Sequence, residues 1–339
     1  MLNFKHIIPL AFTSTFILGG CTHDAKPGSG KESQGKTIVQ EHKKDTIDTQ
    51  AYNNKLVSLA NGDTTGRWPV KTLHQPLRGT ILPFKRIVAF YGNMYSKRMG
   101  ILGEYPPEEM WRRLNVEVKA WETIDPSTPV QPAIHYIAVV GQGAPMKDGS
   151  YCKRMPACQI DSALAIARMG DAIVFLDLQV GKSNVRKEVP KLEKYLKMPQ
   201  VHLGIDPEFS MKDGSIPGSK IGTIDASDVN FCSEYLAAIV RENHVSPKIL
   251  IVHRFTQAMV KNYKDIKLHP EVQVVMDMDG WGDPALKRCI YKEYIYKNPV
   301  QFAGFKLFYK NDLKKAPHVM LTPADLMKLK PQPSYIQYQ

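Results

Sequence analysis

The sequence of 339 residues lacks the short motifs that identify the common classes of hydrolase. It contains no Gly-x-Ser-x-Gly nucleophile elbow, no His-Glu-x-x-His helix and no EF-hand loop. Cysteine is scarce, with five residues, and no cysteine–histidine spacing matches a zinc site. The formal net charge is +12, yet no basic run lies beside aromatic residues. These absences disfavour a serine hydrolase, a zinc hydrolase and a nucleic-acid partner, and the charge favours lipid or an acidic envelope polymer.

A short hydrophobic run near the amino terminus indicates export from the cytoplasm. A weakly positive start precedes the largely apolar segment 7–18, which is too short to span a bilayer as a helix. The run ends in Leu18-Gly19-Gly20-Cys21, which resembles a bacterial lipobox. The resemblance implies a signal peptide at residues 1–20, a lipid such as palmitate on Cys21, and a lipid-anchored protein at a periplasmic or extracellular membrane surface. An ordinary secretory signal with a chance cysteine is the alternative.

Composition divides the rest of the chain into three segments. Residues 21–80 begin with a polar stretch of few large apolar side chains, so we predict a flexible tether after the lipidated cysteine. Packing against the outside of the domain is the alternative for residues 51–80, which contain Leu56, Val57, Trp68 and Leu77. Residues 81–330 have the pattern of a folded domain, and residues 331–339 are predicted to form a tail. Within the domain, Cys152 and Cys158 lie in one polar loop and are candidates for a disulfide in an oxidising compartment. Two free thiols are the alternative.

Predicted strands and helices alternate regularly across the domain, which is the pattern of a parallel sheet with helical connections. Eight such units in about 250 residues match the size of a closed (β/α)8 TIM-type barrel. An open, doubly wound sheet is the alternative, although no glycine-rich fingerprint follows the first strand. The predicted strands cover residues 86–92, 133–140, 172–179, 201–209, 248–253, 272–279 and 301–309, with a weaker eighth strand at 318–321.

Three of these strands end in a pair of polar residues spaced i and i+2, a spacing that places both side chains on one face of a strand. The carboxyl ends of barrel strands meet at one mouth, so we expect the pairs to converge there. Two carboxyl groups in different environments are what glycosidic hydrolysis requires. The six residues are Asp177, Gln179, Asp206, Glu208, Asp277 and Asp279.

Roles follow from position within this set. Glu208 is the predicted general acid, because it lies farthest along the fourth strand and has the longer side chain. Asp206 is expected to orient Glu208 or to assist a substrate group, and Asp277 and Asp279 are the predicted partner carboxylates. For each acid, a helix cap or an ion pair is the structural alternative. The rival mechanism is a hard divalent cation held by these four carboxylates; apart from that possibility, no metal and no cofactor is predicted.

Other side chains at the ends of strands are candidates for binding the substrate. Aromatic residues there can stack on sugar faces, and a buried histidine or lysine can contact a polar group. Packing in the core or at the rim of the barrel is the alternative for each. Together with Asp177 and Gln179, the candidate substrate-binding residues are Tyr91, His253, Trp281, Lys306 and Tyr309.

The segment Asp206-Pro207-Glu208 resembles the Asp-x-Glu at the end of strand four in chitinase-like and muramidase-like barrels. The chain also resembles a group of uncharacterised bacterial envelope lipoproteins with this barrel, through Met278-Asp279-Gly280 on strand six. These resemblances imply a lipid-anchored glycoside hydrolase that acts on a glycan or another envelope polymer. A glycan-binding lipoprotein without catalytic activity and a metal-dependent hydrolase are the alternatives.

Overall fold

The computed structural model describes residues 47–72 and 74–339 of the chain. The predicted signal peptide at 1–20, the predicted lipidation site Cys21 and the first part of the predicted tether lie outside these residues.

Eight parallel strands form a closed barrel, as the alternation of strands and helices predicted. The first strand pairs in parallel with both the second and the eighth strand, which closes the ring and rules out the open sheet. Each remaining strand pairs in parallel with its neighbours in the ring. The strands are β1 (Arg86–Gly92), β2 (Val130–Gly141), β3 (Ile173–Leu178), β4 (Val201–Ile205), β5 (Lys248–Arg254), β6 (Val272–Met278), β7 (Phe302–Leu307) and β8 (Tyr335–Tyr338).

The eighth strand comes from the end of the chain. Residues 318–321 do not form it, because His318 has a left-handed backbone (φ 60°) that interrupts an extended run. Residues 331–339, predicted as a tail, instead supply β8, whose Tyr335, Ile336 and Tyr338 are buried. All four of its residues are buried, as expected of a parallel strand that is covered on both faces.

Helices surround the barrel, with two differences from the sequence-based expectation. The predicted helix at 187–198 is divided into short turns, because Pro190 lacks the N–H that a continuous helix needs. The predicted helix at 256–263 is replaced by short 3₁₀ turns, and Asn262 there has a left-handed backbone. The helices are α1 (Thr49–Ala60), α2 (Pro107–Ile124), α3 (Ala157–Arg168), α4 (Val185–Glu188), α5 (Glu193–Leu196), α6 (Ala226–Asn243), α7 (Pro284–Tyr291) and α8 (Pro323–Leu326).

Helix α1 falls within the segment that was predicted to be a flexible tether. Its Tyr52 is buried and belongs to one apolar cluster with Leu82 and with residues at the beginnings of the barrel strands. This part of the segment packs against the domain, which was the alternative for residues 51–80, and its apolar helical face covers the amino-terminal end of the barrel. Among the described residues, no helix has both the length and the hydrophobicity to cross a membrane.

The two candidate disulfide cysteines are separate thiols. Cys152 is buried on the short strand Cys152–Arg154, which pairs antiparallel with β2. Cys158 is exposed on α3. The loop thus places one thiol inside and the other outside, and the disulfide is absent.

The interior of the barrel changes from apolar to polar along the strands. On β5, the buried Ile249 and Ile251 are followed on the same face of the strand by His253. On β3, the buried Phe175 is followed by Asp177. Apolar packing therefore stabilises the amino-terminal half, and the acids and bases are concentrated in the half that leads to the mouth.

Candidate functional site at the barrel mouth

A cavity of about 550 Å³ opens at the carboxyl ends of the barrel strands. Seven of the eleven residues that the sequence suggested for catalysis or substrate binding line it. This convergence is what the position of strand ends in a parallel barrel requires. The seven residues are Tyr91, Gln179, Asp206, Glu208, Trp281, Asp279 and Lys306.

Asp206 and Glu208 are positioned by a turn and not by a strand. Strand β4 ends at Ile205, and Pro207–Phe209 form a 3₁₀ turn that begins with proline. Asp206 Oδ1 caps this turn by accepting a hydrogen bond from Glu208 N at 2.9 Å. The expected alternation along a strand was therefore wrong for this pair, although both side chains line the cavity.

Burial sets the charge of these two acids. It raises the pKa of Asp206 to about 8, and the nearby charge of Glu208 contributes in the same direction while His253 opposes it. Burial raises the pKa of Glu208 to about 7, assisted by the charge of Asp279 and opposed by that of Lys306. Asp206 Oδ2 also accepts a hydrogen bond from Gln179 Nε2 at 3.1 Å. The cavity thus holds carboxyl groups that keep a proton near neutral pH.

Asp279 is placed between two cationic side chains. Its Oδ1 lies 2.9 Å from Lys306 Nζ, and its Oδ2 lies 3.3 Å from His253 Nδ1. Lys306 Nζ also lies 3.8 Å from the centre of the Tyr91 ring. These contacts place the Asp279 carboxyl group beside a lysine and a histidine at the floor of the cavity, whereas Glu208 has no cation bonded to it among the described residues.

Three candidate residues lie beneath the cavity and do not line it. Asp177, His253 and Asp277 are fully buried. His253 Nδ1 lies 3.1 Å from Asp277 Oδ2. Asp277, predicted as a partner carboxylate, is one layer too deep to contact a molecule in the cavity, because residues at i and i+2 on a strand differ in depth.

Charges within this lower layer compensate one another. Burial alone would lower the pKa of His253, but Asp177, Asp277 and Asp279 raise it well above its ordinary value. Burial alone would raise the pKa of Asp177, yet His253 and His135 hold it far below its ordinary range. Burial raises the pKa of Asp277 despite its contact with His253. Tyr91 Oη donates to Asp177 Oδ2 at 3.0 Å and connects this layer to the cavity.

Sequence analysis missed His135, Tyr335 and Gln337, which complete the lower layer. His135 Nδ1 lies 2.6 Å from Tyr335 Oη and 3.0 Å from Gln337 Nε2. A histidine inside an otherwise apolar parallel strand is a usable signal, since burying it is costly without a partner. The other two residues were missed because their strand was predicted as a tail.

Two aromatic candidates differ in their location. Trp281 is 46% exposed and lies at the rim of the cavity. Tyr309 lies in a different place, where its hydroxyl donates to Glu117 Oε1 at 2.7 Å and its ring stacks on Tyr338. Tyr309 therefore packs between the barrel and α2 and does not line this cavity, and its contact with a substrate stays a prediction.

The four carboxylates proposed for a hard cation do not converge. Among the described residues, the group with donor atoms close enough to share an ion consists of His135, Asp177 and His253. None of these three lines the cavity. A metal held by Asp206, Glu208, Asp277 and Asp279 is therefore disfavoured.

No protein-family model matches the chain, and no curated protein is similar to it in sequence.

Proposed function

We propose that the cavity binds a glycan and that the protein hydrolyses a glycosidic bond there. In this proposal Glu208 is the general acid and Asp279 is the partner carboxylate. The observation that supports it is that one cavity is lined by a carboxyl group that retains its proton and by a carboxylate held between cations. Glycosidases use this pairing, with one acid to protonate the leaving oxygen and one anion opposite it.

Asp206 supports Glu208 in this proposal. Its Oδ1 accepts the hydrogen bond from the Glu208 backbone and so fixes the turn that directs Glu208 into the cavity. Gln179 holds the other oxygen of Asp206. Asp206 is thus a positioning residue, and a general acid fixed in this way needs no large rearrangement to reach the leaving oxygen.

The cavity walls combine aromatic and polar groups, as sugar sites do. Trp281 presents an exposed ring at the rim, which suits stacking on the apolar face of a sugar. Phe255 and Phe308 line the same cavity, while Lys306 and Gln179 supply donors for hydroxyl groups. A single cavity of about 550 Å³ can accept a few sugar units of a longer polymer.

The proposed location is the bacterial cell envelope, with the protein anchored to a membrane through a lipid on Cys21. Support for this comes from the lipobox-like sequence alone. The substrate would then be an envelope or extracellular glycan that the anchored barrel meets at the membrane surface.

Glycan binding without cleavage is the second candidate, and one observation favours it. Both oxygens of Asp279 are already engaged, one by Lys306 and one by His253. A carboxylate in two ion pairs is a weaker nucleophile or base than a free one. In a binding protein the same arrangement would only fix the floor of the cavity.

The deciding experiment is Glu208→Gln, assayed against a panel of soluble envelope and extracellular glycans. General acid catalysis contributes about 10²- to 10⁴-fold, so we expect kcat/KM to fall by about that factor while glycan affinity changes little. In the wild type, kcat/KM should fall as the pH rises through about 7, since Glu208 must carry a proton and its pKa is about 7.

Glu117→Gln is the matched control, because Glu117 is a half-buried acid outside the cavity that bonds to Tyr309. This variant should retain wild-type turnover. Unchanged turnover in Glu208→Gln would remove Glu208 from the mechanism. Glycan binding in the wild type without any cleavage would favour the second candidate.

A further inference from the structure

Three side chains inside the barrel direct polar atoms at one another without forming hydrogen bonds. His135 Nε2 lies 3.5 Å from Asp177 Oδ1, and His253 Nε2 lies 3.6 Å from the same oxygen. The three residues are fully buried, and these three atoms have no hydrogen-bond partner among the described residues. Buried polar atoms without partners are costly, so three that converge on one point indicate a common ligand.

We propose that His135, Asp177 and His253 bind one divalent transition-metal ion, such as Zn²⁺. Zinc lies about 2.0–2.2 Å from histidine nitrogen and carboxylate oxygen, so neighbouring ligand atoms are about 3.3–3.6 Å apart. The distances from Asp177 Oδ1 to the two nitrogens fall in or at the edge of this range, and all three atoms lie within 4.8 Å of one another. Two imidazoles and one carboxylate suit zinc and its neighbours better than magnesium or calcium.

Contacts around the cluster orient the ligands as in known metal sites. A metal-binding histidine donates its other N–H to a carboxylate or another acceptor, which fixes the nitrogen that binds. His253 Nδ1 meets Asp277 Oδ2 at 3.1 Å and Asp279 Oδ2 at 3.3 Å. The second oxygen of Asp177 accepts from Tyr91 Oη at 3.0 Å. Each of these contacts leaves the converging atom available to the metal.

His135 has the corresponding outer contacts. Its Nδ1 lies 2.6 Å from Tyr335 Oη and 3.0 Å from the amide of Gln337. Gln337 Oε1 is itself buried without a partner among the described residues. Rotation of this amide presents its oxygen to His135 Nδ1–H, which is the tautomer that metal binding through Nε2 requires.

Glycine at position 204 keeps one side of the cluster open. A Cβ there would lie 2.5 Å from Asp177 Oδ1 and 2.6 Å from His135 Nε2. Any other residue on this part of β4 would occupy the space beside the two ligand atoms. Gly204 therefore leaves room for the ion or for a fourth ligand such as water.

The proposed ion has a structural role and takes no direct part in the proposed hydrolysis. Its ligands lie beneath the cavity and do not line it. The ion would instead fix Tyr91, through Asp177, and Asp279, through His253, both of which line the cavity. The competing explanation is a network without metal, in which a protonated His253 donates to Asp177.

Metal analysis of the untagged protein, purified without chelator, separates these explanations. We expect one equivalent of a transition metal by plasma mass spectrometry. Removal with a strong chelator should lower the Tm, and Zn²⁺ should restore it. Co²⁺ added to the metal-free protein should give the visible absorption of a low-coordinate site. X-ray absorption of the zinc form should show an oxygen and nitrogen shell that includes imidazole.

His253→Gln and Asp177→Asn should lose both the bound metal and the Co²⁺ absorption. His202→Gln is the matched control, because His202 is another buried histidine inside the barrel and lies outside the cluster. This variant should keep the metal. Glu208→Gln should also keep it, so a failure of the proposed hydrolysis would remain distinguishable from a failure of the metal site.

Two results would overturn the proposal. One is wild-type protein that retains no metal, gives no Co²⁺ absorption and shows no Tm rise with Zn²⁺, Co²⁺, Mn²⁺ or Fe²⁺. The other is unchanged metal binding in folded His253→Gln or Asp177→Asn protein. If those variants do not fold, the absence of imidazole in the X-ray absorption of the wild type would be equally decisive.

Discussion

The carboxyl groups of Glu208 and Asp279 have different surroundings at this site. Glu208 follows the end of a strand, loses most of its contact with water and has no cation bonded to it among the described residues, so its pKa rises to about 7. Asp279 is more buried and is bonded to Lys306 and His253. The neighbours in the folded barrel, and not the residue type alone, therefore set the electrostatic environment of each carboxyl group.

Asp206 gives the clearest prediction at the scale of one residue. In the unfolded chain its carboxyl ionises near 3.8, whereas in the folded protein burial raises its pKa to about 8. The free energy of unfolding therefore decreases progressively as the pH rises from about 4 to about 8. Below that window the Asp206 carboxyl is protonated in both states and does not lower it. Asp206→Asn removes the charge but weakens some of the hydrogen bonds that the carboxylate accepts. We expect the net effect to be a gain of about 2 kcal/mol in the free energy of unfolding at pH 8, relative to the wild type.

Urea unfolding of chelator-treated protein across this pH range measures the effect. The difference in the free energy of unfolding between Asp206→Asn and the wild type should decrease toward zero as the pH approaches 4. Asp213→Asn is the control, because Asp213 is exposed and pairs with Lys220, and its pKa is lowered to about 2. That variant should show no gain at pH 8. A loss of stability in Asp206→Asn at pH 8 would contradict the prediction.

At the scale of elements, strands with continuous apolar character could be predicted and the ends of strands could not. The runs on β5 and β6 are buried on both faces and were located within one or two residues. At the end of β4, Pro207 lacks an N–H for ladder pairing and Asp206 caps a turn, so the backbone leaves the sheet earlier than hydrophobicity suggested. Both acids of Asp206-Pro207-Glu208 still line the cavity at the mouth, although a turn and not strand alternation puts them there.

Strand β4 also carries a glycine that packing, and not the backbone, requires. Gly204→Ala would place a methyl group 2.5 Å from Asp177 Oδ1 and 2.6 Å from His135 Nε2. The surrounding side chains are fully buried and have little room to move. We expect a loss of about 1–3 kcal/mol in the free energy of unfolding, measured by chemical denaturation.

Gly143→Ala is the comparison for this substitution. A Cβ at that position would have no described atom within 4 Å, and the backbone there is not left-handed. We expect its stability to equal or slightly exceed that of the wild type, since alanine restricts the unfolded chain. Equal stabilities for the two variants would mean that the space beside Gly204 is not confined.

At the scale of the whole molecule, the closed barrel could be predicted from the number and alternation of its units, but the segment that forms its last strand could not. The ring is closed by β8, which has only four residues. One of them, Gln337, is polar, so the sequence did not indicate a buried strand, yet Gln337 is buried beside His135. The contacts among His135, Asp177 and His253 beneath the cavity could not be predicted either, because these residues come from strands that are distant in sequence. Such contacts form only when the barrel closes, and they leave no local sequence pattern.

The proposed anchor predicts how the whole chain is distributed in a cell. Cys21→Ser, expressed in a bacterium, should lose incorporation of labelled palmitate and move from the detergent phase to the aqueous phase. Cys158→Ser is the control, since that thiol is exposed on α3 and should not carry lipid. Labelling that persists in Cys21→Ser, or is absent from the wild type, would contradict the lipoprotein assignment.

Barrel closure predicts the result of shortening the chain at residue 330. A tail could be removed with little effect, whereas β8 pairs with both β1 and β7 and buries Tyr335, Ile336 and Tyr338. Its removal exposes two strand edges and part of the barrel interior, so we expect aggregation or the loss of a cooperative thermal transition. Ile336→Ala leaves the backbone pairing in place and should cost only about 2–5 kcal/mol, with a cooperative transition retained at lower temperature. Circular dichroism melts and size-exclusion chromatography measure both. A shortened chain that remains monomeric and melts at the wild-type temperature would mean that the ring of strands is stable while open, and that the lower polar layer does not depend on Tyr335 and Gln337.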